Sequence, residues 1–443
     1  MIQTESPVRQ LFKKVEYLVD DRVGIITHVG EFPVEPGGPQ FFHFYGQACD
    51  TTAFSGQKNF ATTGGASTNR GIAMAKAIGE AVERYCSAIY DIEEFALTDF
   101  ASAPFPCVSP EEFALYSVAQ YAQQGFPYQP FNERTPVRWA KMMDPLTADA
   151  WYVPACMVVM PYFYDTKHGE VPIAQPITTG LACHCSWEKA AMSAIGEVVE
   201  RDAFTIAWQA RLGMPKIKLD TLSPQNRDLV DRFERTGHSV TILNITLDHG
   251  IPSILSVIRH SSHEAPALLV AASADLDPDE AVRKSLEELA HTRRLALQLK
   301  ATLPPLGLDL DHESLIDQDS HIHLFCDHMH ASLAEFLFSS ERLMDFTEIH
   351  NLSTGDPKED LTTYLERIAA IDHQVLLADL TTYDVKDLGL WVVRAVIPGF
   401  HPLCMGHPFR ALGGRRLWTI PQKLGYPGIT PETGDNPIAH PYP

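Results

Sequence analysis

The sequence predicts an α/β (α+β) protein with a large core, and three observations predict it. Apolar and β-branched segments at 23–30, 40–48, 137–142, 151–160, 239–245, 253–259, 375–380 and 391–398 alternate with segments of helical period. One helical phrase, Ala77-Ile78-Gly79-Glu80-Ala81-Val82-Glu83-Arg84, returns with one substitution as Ala194-Ile195-Gly196-Glu197-Val198-Val199-Glu200-Arg201. Each copy follows a run of small residues, so strand, small-residue loop and acidic helix occur twice in that order. Duplicated halves are the simplest reading.

The first small-residue run, 62–68, reads as a flexible connector ahead of a helix near 71–90. The Pro-, Phe- and Tyr-rich stretch 99–135 holds a short helix near 110–124. Thr178-Thr179-Gly180-Leu181-Ala182 precedes the second acidic helix, near 188–209. A third long helix, 278–300, has Asp277 as its N-cap and Pro278 at its first position, where a missing N–H costs nothing. The chain thus divides into an N-terminal segment 1–20, a main domain 21–420 and a proline-rich tail 421–443.

On an ideal helix, Glu83 and Arg84 fall within about 60° of Glu80, while Ile78, Ala81, Val82 and Tyr85 fill the opposite arc. One such copy describes a solvated charged face on an amphipathic helix. The second copy does not. There Phe204 and Trp208 flank the carboxylates, while Ile195, Val198 and Val199 hold the other side, so the helix is apolar on both sides and predicted to be buried. Buried carboxylates need a cation, a donor or a metal. Four on two equivalent helices suit Mg²⁺, which takes oxygen ligands and bridges to phosphates.

The 443 residues are 45% hydrophobic and 21% charged, with a formal charge of −21, which is the composition of a globular protein. That balance speaks against nonspecific nucleic-acid binding and against docking on anionic membranes. Residues 1–14 lack the apolar core of a secretory signal, and no apolar run approaches membrane-spanning length. The eight cysteines include no Cys-x-x-Cys pair, so neither a disulfide framework nor structural zinc is expected. The cytoplasm is the expected location.

Arg293 falls in the apolar stripe of the third helix, where an arginine pairs with carboxylate or phosphate; a structural ion pair and a ligand contact both fit. Glu288 and His291 lie on the opposite side of that helix. The histidines at 321, 323, 328 and 330 invite a metal reading, but their spacing matches no standard motif. Cys183-His184-Cys185 is suggestive in the same weak way. The tail, ending Asn436-Pro437-Ile438-Ala439-His440-Pro441-Tyr442-Pro443, is stiff and poor in donors. It is either disordered or a pre-straightened arm laid into a groove.

The phrases at 77–85, 179–203, 275–293 and 393–399 resemble the YcaO family over about 20–443. Within it, the late Asp379-Leu380-Thr381 and Ile397-Pro398-Gly399 phrases and the Pro-x-Pro ending resemble the standalone cyclodehydratase subunits of thiazole/oxazole-modified peptide pathways. The resemblance implies a YcaO-type ATP-binding fold with ATP and Mg²⁺ as cofactors. Carried over, Glu80, Glu83, Glu197 and Glu200 hold the metal, and Ser193, Arg201 and Arg293 contact nucleotide. The sequence departs from the family at Lys76, usually Ser, at His291, usually Gln, and at Ala439, which interrupts the Pro-x-Pro-x-Pro ending. Lys76 and His291 are candidate nucleotide contacts in their own right.

The implied reaction is ATP-dependent cyclodehydration of a ribosomally made precursor peptide. A Cys, Ser or Thr side chain attacks the preceding amide carbon, the amide oxygen is phosphorylated, and loss of phosphate leaves a thiazoline or oxazoline. The same resemblance makes the terminal carboxylate of Pro443 a candidate for ordering the site or moving protons. It also implies an E1-like, leader-binding partner, a possible downstream flavin dehydrogenase, and a homo-oligomer, most simply a dimer. Two other readings stand beside this one: thioamide or amidine formation, for which a TfuA-like gene neighbour is the discriminating sign, and a nonenzymatic ATP-binding scaffold.

Overall fold

A computed structural model describes residues 7–443, so the segment 1–20 lies partly outside the described residues. Its described part forms two short helices, Pro7–Phe12 and Val15–Leu18, anchored by buried Leu11 and Leu18. An antiparallel meander follows, of strands Ile26–Phe32, Phe42–Ala48 and Thr62–Ser67.

The last of these is the run expected to be a flexible connector; it is a strand instead. Close approach explains the difference. A Cβ on Gly65 would lie 2.6 Å from both the Ala73 carbonyl oxygen and Lys76 Cβ, and one on Gly46 would lie 3.0 Å from the Ala77 oxygen. Small residues let the first acidic helix, Arg70–Ser87, lie directly on the sheet. Asn69 caps that helix, accepting from the N–H groups of Gly71 and Ile72.

A second, antiparallel sheet runs in the order Ala96–Thr98, Val137–Met143, Leu376–Asp379, Trp391–Val396, Leu181–His184, with Ala150–Pro154 also on Val137–Met143. The strand expected over 151–160 stops at Pro154, where a 3₁₀ turn, Ala155–Met157, begins. The helix expected near 110–124 shrinks to single turns at Pro110–Glu112 and Val118–Tyr121. Aromatic packing holds this stretch instead: Tyr116 stacks on Tyr128 with ring centroids 5.2 Å apart and meets Phe126 edge-on at 4.9 Å.

The third sheet orders Leu268–Ala274, Ser253–His260, His238–Asn244, Lys216–Ile217 and Leu343–Met344, the last pair parallel. Leu268–Ala274 escapes a search for alternation because every residue in it is buried. Leu268, Val270 and Ala272 pack with the second acidic helix, Trp187–Gln209, while Leu269 and Ala271 pack with the third helix, Pro278–Thr302. This one strand therefore separates two of the three site-bearing helices. Among the described residues no helix is long and apolar enough to cross a membrane.

The tail boundary at 421 falls inside a helix, Arg415–Lys423. Beyond it the chain is extended and buried at its end: Ala439 is 0% and Tyr442 1% exposed. The stretch lies as an extended arm packed into the core beside the second acidic helix. Trp208 Nε1 donates to the Ile438 carbonyl at 3.0 Å, and the Asn436 amide donates to the Trp208 carbonyl at 3.2 Å. Phe204 and Tyr442 pack with centroids 4.3 Å apart. The second apolar side of the acidic helix exists to receive this arm.

Candidate active site

The two acidic helices present their carboxylates in matching surroundings. In the first half the Gly64 N–H donates to Glu80 Oε2 at 3.0 Å, and Arg84 donates to Glu80 Oε1 at 3.0 Å. In the second half the Gly180 N–H donates to Glu197 Oε2 at 3.0 Å, and Arg201 pairs with Glu197 Oε1 at 3.5 Å. A backbone N–H from the preceding segment and an arginine one turn on therefore hold each glutamate. The duplication seen in the sequence is a duplication of this bonding pattern.

The two glycines are not equally constrained. Gly180 has φ +85°, and a Cβ there would lie 2.4 Å from the Ala395 carbonyl oxygen. A Cβ on Gly64 would meet only the ring of His291, at 2.4 Å from Nε2. Gly180→Ala is therefore expected to cost about 1–3 kcal/mol of stability and to loosen Glu197, whereas Gly64→Ala displaces a side chain and leaves the melting temperature nearly unchanged. Thermal denaturation of the two variants side by side checks the ranking.

The other two glutamates differ. Glu83 Oε1 accepts the Cys183 N–H at 2.7 Å, from the strand Leu181–His184 that packs against both acidic helices. Burial, then the charge of Glu80, push the Glu83 pKa well above the usual carboxylate range, and Glu197 adds to the effect. Glu200 Oε1 accepts the Tyr442 hydroxyl at 2.5 Å. Burial raises the Glu200 pKa to about 7 against the opposing pull of Arg201 and the Tyr442 hydrogen bond.

Arg201 joins the site to the tail. It pairs with Glu200 at 3.4 Å, donates to the Pro443 carbonyl oxygen at 3.2 Å and lies 4.6 Å over the Tyr442 ring. Ser193 is exposed, four residues before Glu197 and on the same helix face.

The third helix brings Glu288 and His291 to this site, with His291 Nδ1 3.7 Å from Glu288 Oε1. Burial works against a charged His291, but Glu288 and Glu80 outweigh it and raise its pKa. Glu288 is half exposed by area, yet protein crowds it. Burial would raise its pKa, and His291, Lys76 and Arg201 lower it by more. Sequence reading assigned Glu288 no role; its position one turn before His291 was the available signal.

Two more of the residues expected at the nucleotide, Lys76 and Arg293, are held by partners other than the four glutamates. Lys76 Nζ pairs with Glu287 at 2.7 Å and donates to the Ala66 carbonyl at 3.0 Å. Glu287, 2% exposed, also binds Ser67 and Arg283. Arg293 does not reach the four glutamates; its fork holds Glu35, and its Nε donates to His238 at 3.2 Å. It lines a cavity of about 380 Å³ with Phe32, Phe41 and His43. His321 and His323 are buried in the helix Gln318–Leu324, and Cys183 and Cys185 form no disulfide.

Among the described residues no three His, Cys, Asp or Glu side chains close on one point as an all-protein metal cage. Mg²⁺ does not need one, since it is held by one or two carboxylates, waters and substrate phosphates. The donor chemistry fits such an ion: the four glutamates offer oxygen ligands, and burial, then the charge of Glu80, raise the Glu83 pKa, so a cation there would favour its charged form.

Fold and site together define an α/β protein with a cluster of carboxylates on its two acidic helices. Residues 64–401 match the family described as YcaO cyclodehydratase, ATP- and Mg²⁺-binding, and the chain belongs to the YcaO family. It is 27% identical over 343 residues to an uncharacterized protein of Methanothermobacter thermautotrophicus, spanning 76% of this chain and 80% of that one. An uncharacterized protein in the tfuA 3′ region of Rhizobium leguminosarum bv. trifolii is 25% identical over 363 residues, 79% of this chain and 78% of the other.

The fold is that of a heterocyclase solved in complex with substrate and cofactor, at TM-score 0.80 and 20% identity. That match covers 99% of this chain, which spans 57% of the heterocyclase's length. The YcaO protein of Methanopyrus kandleri, bound with AMPPCP and Mg²⁺, matches at TM-score 0.64 and 20% identity over 90% of this chain and 92% of its own.

Proposed function

We propose that the chain is an ATP-dependent cyclodehydratase that converts Cys, Ser or Thr of a ribosomal precursor peptide to thiazoline or oxazoline. The observation that carries this reading is the joining of the second acidic helix to the buried arm through Arg201, Glu200 and Tyr442. Bound Mg·ATP supplies the phosphoryl group that makes the amide oxygen a leaving group. Glu80, Glu83, Glu197 and Glu200 hold the metal, while Ser193, Arg201, His291 and Lys76 face or flank the phosphates. Pro443 orders Arg201 by accepting its hydrogen bond, and the arm shields the reacting amide from water. An E1-like partner presents the leader of the peptide, a flavin dehydrogenase can act downstream, and a cytoplasmic homodimer is the expected form.

Reconstitution with the precursor and partner encoded beside the gene tests the reaction. Each ring removes one water from the peptide and releases one phosphate. Exchange of oxygen for sulfur at unchanged hydrogen count would instead establish thioamide formation, the second reading, which the similarity to a protein of a tfuA region favours. Nucleotide binding with no peptide change in either sense would leave the scaffold role.

Metal affinity is expected to depend on pH with a defined sign. Because the folded-state pKa of Glu200 is raised to about 7, an incoming cation displaces a proton below that pH. Apparent Mg·AMPPCP affinity should therefore fall as pH drops below about 7, by up to about tenfold per unit for one displaced proton. Calorimetry from pH 6 to 8.5 with Glu200→Gln as reference checks it, since that variant should lose this part of the slope.

Arg293 is assigned to the nucleoside end of ATP through the cavity it lines beside His43. Arg293→Lys keeps charge but loses the planar fork. AMPPCP affinity should fall about tenfold with little change in melting temperature. Unchanged affinity with a clear loss of stability would reassign Arg293 to its ion pair with Glu35.

A further inference from the structure

Beside Arg201 lies a second cleft that the proposed phosphate chemistry does not use. Its walls are apolar, with Phe113, Met157, Ile177, Val396, Phe400 and Phe409 among them, and it encloses about 130 Å³. It reaches Thr179, Val198 and Arg201, so it opens beside the loop and helix that hold Glu197.

Four residues lining this cleft carry a buried polar atom without a hydrogen-bond partner: Arg394 Nη1, Gln175 Oε1, His401 Nδ1 and Arg201 Nε, the last of which has the Glu200 carboxylate at 3.4 Å. Arg394, on the strand Trp391–Val396, is 4% exposed. Its Nε donates to the Met157 carbonyl and its Nη2 to the Ile177 carbonyl, each at 2.9 Å. Neither acceptor is charged; the carboxylate it senses most is Glu197, in the site beyond. Gln175 is anchored by its backbone N–H, which donates to the Tyr116 hydroxyl at 3.2 Å.

Leaving one buried donor or acceptor unpaired costs about 1–3 kcal/mol, more for a charged group. Of these atoms, Arg394 Nη1, a donor with no carboxylate partner, and Gln175 Oε1, an acceptor, are together complementary to a peptide unit, which offers one carbonyl and one N–H between apolar side chains.

We infer that this cleft binds an extended segment of the substrate peptide, with Arg394 donating to a peptide carbonyl, Gln175 accepting a peptide N–H, and an apolar side chain filling the pocket. The inference rests on the proposed action on a peptide backbone and adds where that backbone lies. It gives the enzyme a preference for an apolar residue next to the modified one. The bound segment leads towards Thr179 and Arg201, where the next amide meets the phosphate site.

The test uses the full chain, saturated with Mg·AMPPCP, and a small probe, N-acetyl-Leu-Ser-N-methylamide, followed by ligand-observed NMR. Wild type should bind it, and more weakly with Asp in place of Leu. An isostere with ester oxygen in place of the leucine N–H, Gln175→Leu and Arg394→Met should each weaken binding about tenfold. Gln175→Leu, with Mg·AMPPCP affinity and melting temperature unchanged, keeps the test decisive should Arg394→Met fold poorly. Full affinity in both variants and for the ester overturns the proposal. So does displacement of the probe by Mg·AMPPCP, which would make the cleft a nucleoside pocket. Absence of probe binding to wild type with intact Mg·AMPPCP binding removes the cleft alone; absence of Mg·AMPPCP binding removes the functional reading itself.

Discussion

Replacing Glu83 by glutamine should make the ligand-free protein more heat-stable at pH 8 while costing it about a hundredfold in Mg·AMPPCP affinity. The two effects have one cause. Burial and the charges of Glu80 and Glu197 raise the folded-state pKa of Glu83. A group with a raised folded pKa contributes stability at low pH that is lost as pH rises through that value. At pH 8, well above the value in the unfolded chain, the buried carboxyl is thus a cost to the apo fold whether it keeps its proton or loses it, and glutamine removes that cost while its amide oxygen still accepts the Cys183 N–H. The same substitution removes an oxygen anion from the metal site. Scanning calorimetry at pH 6 and pH 8 should show the variant's advantage grow with pH and vanish when Mg·AMPPCP is added to both proteins. A variant less stable than wild type at pH 8, with normal nucleotide affinity, would take Glu83 out of the site.

Tyr442 gives the second large effect, and it separates packing from chemistry. Removing residues 441–443 takes a 1%-exposed aromatic side chain out of contact with Phe204, and should cost roughly 3–5 kcal/mol of stability as well as activity. That deletion alone therefore says little about catalysis. Tyr442→Phe keeps the ring and removes only the hydroxyl that donates to Glu200 and accepts the Ala272 N–H at 3.4 Å. Its loss withdraws a hydrogen bond that lowers the Glu200 pKa, so the midpoint of pH-dependent Mg·AMPPCP binding should move upward. The melting temperature should change little by comparison. A midpoint that stays in place would mean that the arm is a packing element only.

Much of the site was legible because it is local. The spacing of Glu80, Glu83 and Arg84, and of their copies Glu197, Glu200 and Arg201, is set by helix geometry, and the repeat distinguished a site from a solvated face. The apolar second side formed by Phe204 and Trp208 announced that something would cover the second copy. The sequence did not say that Ala439 and Tyr442 would do so, because a proline-rich segment carries no periodicity with which to declare a partner. Glu288 was overlooked for the opposite reason: helix geometry separated it from Arg293, and nothing local tied it to Glu80 across the fold.

What the sequence by itself determined is the α/β class, the two acidic helices and the family, since each depends on short-range order along the chain. Tertiary structure decided what those residues touch. It made a strand of Thr62–Ser67, because the helix above leaves room only for small residues. It also turned Lys76 towards Glu287 and Arg293 towards Glu35, because a buried charge takes whichever counter-charge the packing brings near, and that neighbour lies far away in sequence.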